Sequence, residues 1–189
     1  MSRLSSDDWQ MLAEIAHRAV SSVIVEGSLP DLPPFPPSLS ERAGAFVSLY
    51  VRGELRGCMG QVENPGPLAD VVARSAISAA LHDSRFSPIA PEEIPALKVE
   101  ISVLSVPAPI LPEAIVVGTD GLLVTTESHK GLLLPQVASE RNWTAIRFLD
   151  ETCIKAGLPR DAWRESATKI FGFTAQVYSE KETRSDSST

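Results

Sequence analysis

The order of its elements constrains this chain more than any single residue does: a hairpin, a helix and a strand occur in series, and then the same three recur. From Ala45 the spacing predicts a strand, with Phe46, Leu49 and Val51 supplying β propensity. Arg52-Gly53-Glu54 turns the chain tightly, and LRGCMGQV returns as the second strand. Asn64-Pro65-Gly66-Pro67 breaks that strand, and Pro67 suits the first turn of a helix, LADVVARSAISAALHDS. This helix sets Leu68, Val72, Ser75 or Ala76 and Ala79 on one face, and its many small residues permit close approach to a sheet. In KVEISVLS, Val99, Ile101 and Val103 alternate with Lys98, Glu100 and Ser102, the period of a strand with one buried face.

The second round has the same style. Ile115–Val117, a turn at Gly118-Thr119-Asp120-Gly121, and Leu122–Val124 read as a hairpin, followed by a short strand at Gly131–Leu134 that Pro135 stops. A helix from about Asn142 to Ala156, with Trp143, Ile146 or Arg147, Leu149 and Cys153 along it, ends at Gly157 and Pro159. Lys169–Ser179 alternates enough to form a final strand. Ahead of both rounds, Ser6 is placed to cap a helix whose face is Trp9, Leu12, Ala16, Ala19 or Val20, and Val23, with Gly27 as its stop. LPDLPPFPPSL follows as a proline-rich strap. Without the regular βαβ rhythm of a doubly wound sheet, the fold class expected is α+β. The 189 residues suit one domain over 1–180, whole or as two subdomains, with 181–189 as a disordered tail.

Charge narrows the function. With 17 basic and 24 acidic side chains the net charge is -7, which opposes non-specific nucleic-acid binding. No apolar run approaches the roughly 18 residues that a membrane span needs, and the N-terminal segment lacks a signal-peptide core. A cytoplasmic protein with no membrane contact is expected. Two cysteines, Cys58 and Cys153, are too few for a disulfide framework or a zinc cage, so free thiols are the simpler reading. No metal or cofactor is expected.

The chemistry concentrates in Leu55–Gly60, LRGCMG. On a regular strand Arg56 and Cys58 project from one face, where a guanidinium favours a thiolate and can orient a carboxylate or phosphate of a ligand. Gly57 and Gly60 leave bare backbone beside the thiol, which serves a ligand that must approach the main chain. The structural alternative is a small buried cysteine with glycines marking a bulge. His82-Asp83-Ser84-Arg85-Phe86 sits at a helix end, where either the histidine and arginine meet the negative helix terminus or Asp83 and Arg85 fix the loop around the site. Glu100 is either solvent-exposed or oriented toward Arg56. His129, in the loop before GLLLPQ, is a surface histidine or a general base to pair with Cys58. His17 reads as surface, Gln136 as part of a rigid turn and Cys153 as core.

The landmarks GAFVSLYVRGELRGCMGQV, AISAALHDSRFSPI, VEISVLS, GTDGLLV, GLLLPQVASERNW, FLDETCIKAGLP and FGFTAQVYSE resemble, in order, those of the AMMECR domain family. That family includes protein A of the AmmeMemoRadiSam system. The likeness spans roughly Ala13 to Glu180, with Met59 where isoleucine is usual, an apolar exchange of similar volume. The resemblance implies a mixed, mostly antiparallel, barrel-like sheet built from two related β/α halves with flanking helices. It also implies genomic association with Memo-type and radical SAM proteins, and no firmly assigned activity. Two functions follow for the LRGCMG cleft. One is a thiol-dependent enzyme or subunit with Cys58 and His129 as catalytic groups and Arg56, Gly57, Gly60, Glu100 and Arg85 binding a small anionic ligand. The other is a non-catalytic module that holds a ligand or partner peptide in the same place.

Overall fold

The structure is a computed structural model that describes residues 3–29, 31–62 and 66–180. The expected tail 181–189 and the Asn64-Pro65 part of the turn lie outside the described residues. The chain divides into two compact units, one running to Val103 and resuming at Gln176, the other Leu104–Ala175.

In the first unit, helix α1 (Ser6–Ser21) is capped by Ser5, one residue earlier than the sequence pattern predicts. Ser5 Oγ accepts the Asp8 N–H at 3.1 Å while Asp8 Oδ2 accepts the Ser5 N–H at 2.9 Å, a reciprocal capping box. A five-residue π-helical turn, Ser22–Glu26, prolongs α1 to Gly27, whose φ of 66° ends it in the left-handed region. The proline strap contains one short helix, α2 (Pro37–Ser40), which buries Leu39 completely.

Strands β1 (Gly44–Val51) and β2 (Glu54–Gln61) pair antiparallel through a turn in which Arg52 and Gly53 have φ of 52° and 84°. Two consecutive positive φ values match the twist a two-residue hairpin needs. Ala45, Val47, Leu49 and Val51 face the core, and helix α3 (Leu68–Leu81) packs there with α1. The PEEIP segment forms a 3-10 turn, Pro91–Ala96, before strand β3 (Leu97–Leu104). With β8 (Ala175–Ser179) the sheet order is β2-β1-β3-β8. Trp9 stacks on Tyr178, with centroids 5.8 Å apart, and His17 Nε2 meets Glu180 Oε2 at 2.8 Å. His17 thus holds the end of β8 beside α1.

The second unit contains β4 (Ala108–Pro109), β5 (Gly121–Thr125), β6 (Lys130–Leu133) and β7 (Lys169–Phe173) in the order β4-β7-β5-β6. Helices α4 (Pro135–Glu140) and α5 (Ala145–Lys155) follow the β5–β6 hairpin. Several expectations need correction here. Ile115–Val117 is not a strand: the Asp120 carboxylate accepts the Val116 N–H at 2.8 Å and folds the segment into a turn. Pro135 starts a helix instead of only ending a strand, and α5 begins after Thr144, whose side chain accepts the Arg147 N–H. Its buried stripe is Phe148, Leu149, Thr152 and Cys153, with Ile146 exposed. Lys169–Ser179 is two strands in different sheets, interrupted at Thr174.

The fold is α+β, and the repeat of style is a repeat of topology. Each sheet runs return strand, first strand, post-helix strand, then one strand from elsewhere: β2-β1-β3-β8 and β6-β5-β7-β4. Even a packing detail recurs. Gly57 on β2 meets the backbone of Ala79 near the end of α3, and Gly131 on β6 meets Ala156 at the end of α5. The strands form two four-stranded sheets, with no closed barrel among the described residues.

Candidate functional site

The LRGCMG strand is the outer strand of its sheet, so one side of its backbone pairs with β1 and the other pairs with no strand among the described residues. Leu49 pairs with Gly57 but Tyr50 with Leu55, which leaves Arg56 as the extra residue of a β-bulge. The bulge interrupts the alternation expected to set Arg56 and Cys58 side by side, and the two side chains have separate partners. Arg56 forms a two-pronged ion pair with Glu93 on the 3-10 turn, Nε to Oε1 at 2.7 Å and Nη2 to Oε2 at 3.0 Å. Glu93 also accepts the Ala90 N–H at 2.9 Å. The Arg56 guanidinium, followed by that N–H, draws the Glu93 carboxyl down to about 2. Arg56 therefore ties the hairpin to the Pro91–Ala96 turn, and Glu93 takes the orienting place the sequence suggested for Glu100, which lies half-buried on β3.

Cys58 is half-buried and pairs across the hairpin with Ser48, whose hydroxyl donates to its Sγ at 3.2 Å. Its backbone is held by a clamp from the loop after α3. Asp83 Oδ2 accepts the Cys58 N–H at 2.9 Å, and Arg85 Nη2 reaches the Cys58 carbonyl at 3.4 Å. Carboxylate and guanidinium are themselves joined by Nη2–Oδ2 at 2.6 Å and Nε–Oδ1 at 2.9 Å. The pair thus supplies one acceptor and one donor to an unpaired strand edge, as a neighbouring strand would. Asp83 has a side chain only 4% exposed, whereas that of Arg85 is 58% exposed. Arg85's hydrogen bonds, opposed by burial and helped by the Cys58 N–H, hold the Asp83 carboxyl far below the usual carboxylate range. Asp83, first, and the Cys58 side chain, last, raise the already high pKa of Arg85.

The cation beside the thiol is therefore Arg85, where the strand period suggested Arg56. Asp83 joins the Cys58 N–H to the Arg85 guanidinium, and its signal in the sequence is the Asp-x-Arg pattern immediately after a helix end. The motif glycines are filled by protein: a methyl on Gly57 would overlap the Ala79 carbonyl, and one on Gly60 the Ala45 carbonyl and the Phe46 ring. Their bare backbone admits a helix and an aromatic ring. His129 belongs to the second unit, at the tip of the β5–β6 hairpin, where it is exposed. Its Nδ1 lies 2.9 Å from Ser128 Oγ, and its N–H donates to Thr126 Oγ1. Both cysteines are free, and Cys153 is wholly buried, its thiol pushed up chiefly by desolvation. No cluster of three or more metal-ligating side chains occurs among the described residues. Nor is any helix among them long and apolar enough to cross a membrane.

Fold and site together define an α+β protein of two topologically matched units, with a clamped cysteine on the edge strand of the first. Residues 13–178 match the AMMECR1 family model, and the chain belongs to that family. A protein of Thermofilum pendens is 39% identical over 98% of this chain and 96% of its own length. One from Methanothermobacter thermautotrophicus is 43% identical over 94% and 96%. The crystal structure of an uncharacterized protein from Pyrococcus horikoshii superposes with a TM-score of 0.84 at 40% identity, covering 90% of each chain.

Proposed function

We propose that this protein is a cytoplasmic ligand-binding member of its family, whose LRGCMG strand holds a small anionic ligand against the Cys58 thiol. The observation that carries this reading is the Arg85 guanidinium, anchored along one edge by Asp83 yet more than half exposed, beside a half-buried thiol. An anchored cation with free donors binds a carboxylate or phosphate at little entropic cost. Phe46, Ser48 and Tyr50, half-buried on the outward face of β1, form the adjoining wall. A ligand so placed has its reactive end at sulfur, so thiol chemistry by Cys58 is the second reading. The family resemblance adds Memo-type and radical SAM proteins as the partners with which either version acts.

Charge-selective alkylation tests the site. Iodoacetate and iodoacetamide both alkylate a thiol with loss of iodide, but only iodoacetate carries a carboxylate for Arg85. Cys153 is wholly buried, so native protein reacts at Cys58, and Cys58→Ser supplies the blank. The iodoacetate-to-iodoacetamide rate ratio is expected to fall about fivefold in Arg85→Ala, the scale of one partly screened charge interaction. In Arg56→Ala the ratio should persist while stability drops by about 1–2 kcal/mol, because Arg56 is committed to Glu93. A ratio indifferent to Arg85 would remove the anion from this face.

A further inference from the structure

The clamp on Cys58 shows what this strand edge accepts, and the same edge offers a second place for it. Because the Cys58 N–H points away from β1 to Asp83, the antiparallel alternation also turns the Gly60 N–H off the edge, since Phe46 pairs with Gly60 as Ser48 does with Cys58. Two residues along a strand is about 7 Å. At Gly60 the edge borders a cavity of about 260 Å³, lined by Met59, Gly60, Gln61, Arg74, Ser75 and Ser78. Among the described residues, that lining contains hydroxyls, an amide and a guanidinium but no carboxylate. Arg74 is exposed on α3 and has no ion pair or hydrogen bond among the described residues. At Cys58, a backbone N–H and an arginine converge on the Asp83 carboxylate; at Gly60, a backbone N–H and an arginine border a cavity whose described lining residues provide none.

We propose that this cavity is a binding site for the carboxylate of a small molecule, held by the Gly60 N–H and the Arg74 guanidinium, with Ser78 and Gln61 as further donors. Its volume lies just under the roughly 300 Å³ where drug-sized sites begin, so the ligand is a compact acid whose short apolar part packs on Met59. The site lies on the helix side of β2 and does not depend on any role for the Cys58 thiol.

The test is a ¹⁵N NMR titration of the intact protein at constant ionic strength with sodium propionate, its neutral isostere propionamide, and inorganic phosphate. Propionate is expected to shift the Gly60 amide saturably, with a Kd on the order of 1–10 mM for so small a ligand. Arg74→Gln, a change at an exposed position, should weaken binding about tenfold, with Arg74→Lys intermediate because it keeps charge without the fork. Propionamide should leave Gly60 unmoved. The proposal is overturned if Gly60 shows no saturable shift, if propionamide matches propionate, or if Arg74→Gln binds normally. Tighter binding of phosphate than of propionate would overturn the carboxylate assignment. A Gly60 shift that survives in Arg74→Gln but is lost in Arg85→Ala would move the anion to Arg85 and overturn the placement.

Discussion

Gly57→Ala is expected to destabilise the protein by about 3 kcal/mol or more, a large share of the 5–15 kcal/mol that typically holds a domain folded. The added methyl would overlap the carbonyl of Ala79, a backbone atom within α3. A flexible side chain could swing aside, but a helix backbone yields only if α3 lifts from the sheet, and that exposes its buried Val71, Val72, Ala76 and Ala79 face. Gly53→Ala is the instructive control. Its Cβ would meet nothing within 4 Å, yet φ is 84°, so the cost is the left-handed penalty alone, about 1–2 kcal/mol. Urea unfolding measures both, read as midpoints at unchanged slope. If Gly57 instead served to admit a ligand, Gly57→Ala would remain stable and lose only binding. A loss below about 1 kcal/mol would show that α3 can retreat cheaply and would refute the packing account.

The same contact shows how far the sequence could be read. A glycine-turned hairpin, a small-residue helix and an alternating strand are local patterns, and all three are where their residues put them. Arg52-Gly53 makes the turn, Ala79 and its neighbours approach the sheet closely, and Val99, Ile101 and Val103 are buried. What was not legible depends on pairing across distance. The bulge at Arg56 arises from register with β1, and period-two reasoning alone assumes no bulge. Asp83 meets the Cys58 N–H from 25 residues away, and Glu93 meets Arg56 from 37. Thr174 separates two strands because their sheets differ, a fact absent from the alternation of Lys169–Ser179. For the site, then, the sequence located the strand and the loop, and the pairing of charges came from tertiary structure.

That pairing gives the second large effect. Asp83→Ala is expected to cost about 3–4 kcal/mol, because three kinds of donor lose one acceptor: the Cys58 N–H, the Arg85 N–H and the Arg85 guanidinium. Asp83→Asn keeps the shape and one carbonyl oxygen, so it should lose about half as much while removing the charge. The two variants separate packing from electrostatics through pH. Since the folded protein holds the Asp83 carboxyl below its ordinary value, the unfolded chain takes up the proton first as pH falls. The stabilisation is therefore complete above the unfolded value of about 3.9 and drains away as pH drops toward the folded one. Wild type should exceed Asp83→Asn by a constant margin from neutral pH to about pH 5, with the margin shrinking steadily below about pH 4. Denaturation at a series of pH values measures that difference. A margin that stayed flat to pH 3 would mean the carboxylate charge does not hold Arg85. Iodoacetate selectivity would then have to survive in Asp83→Asn, whereas an anchored Arg85 requires it to fall.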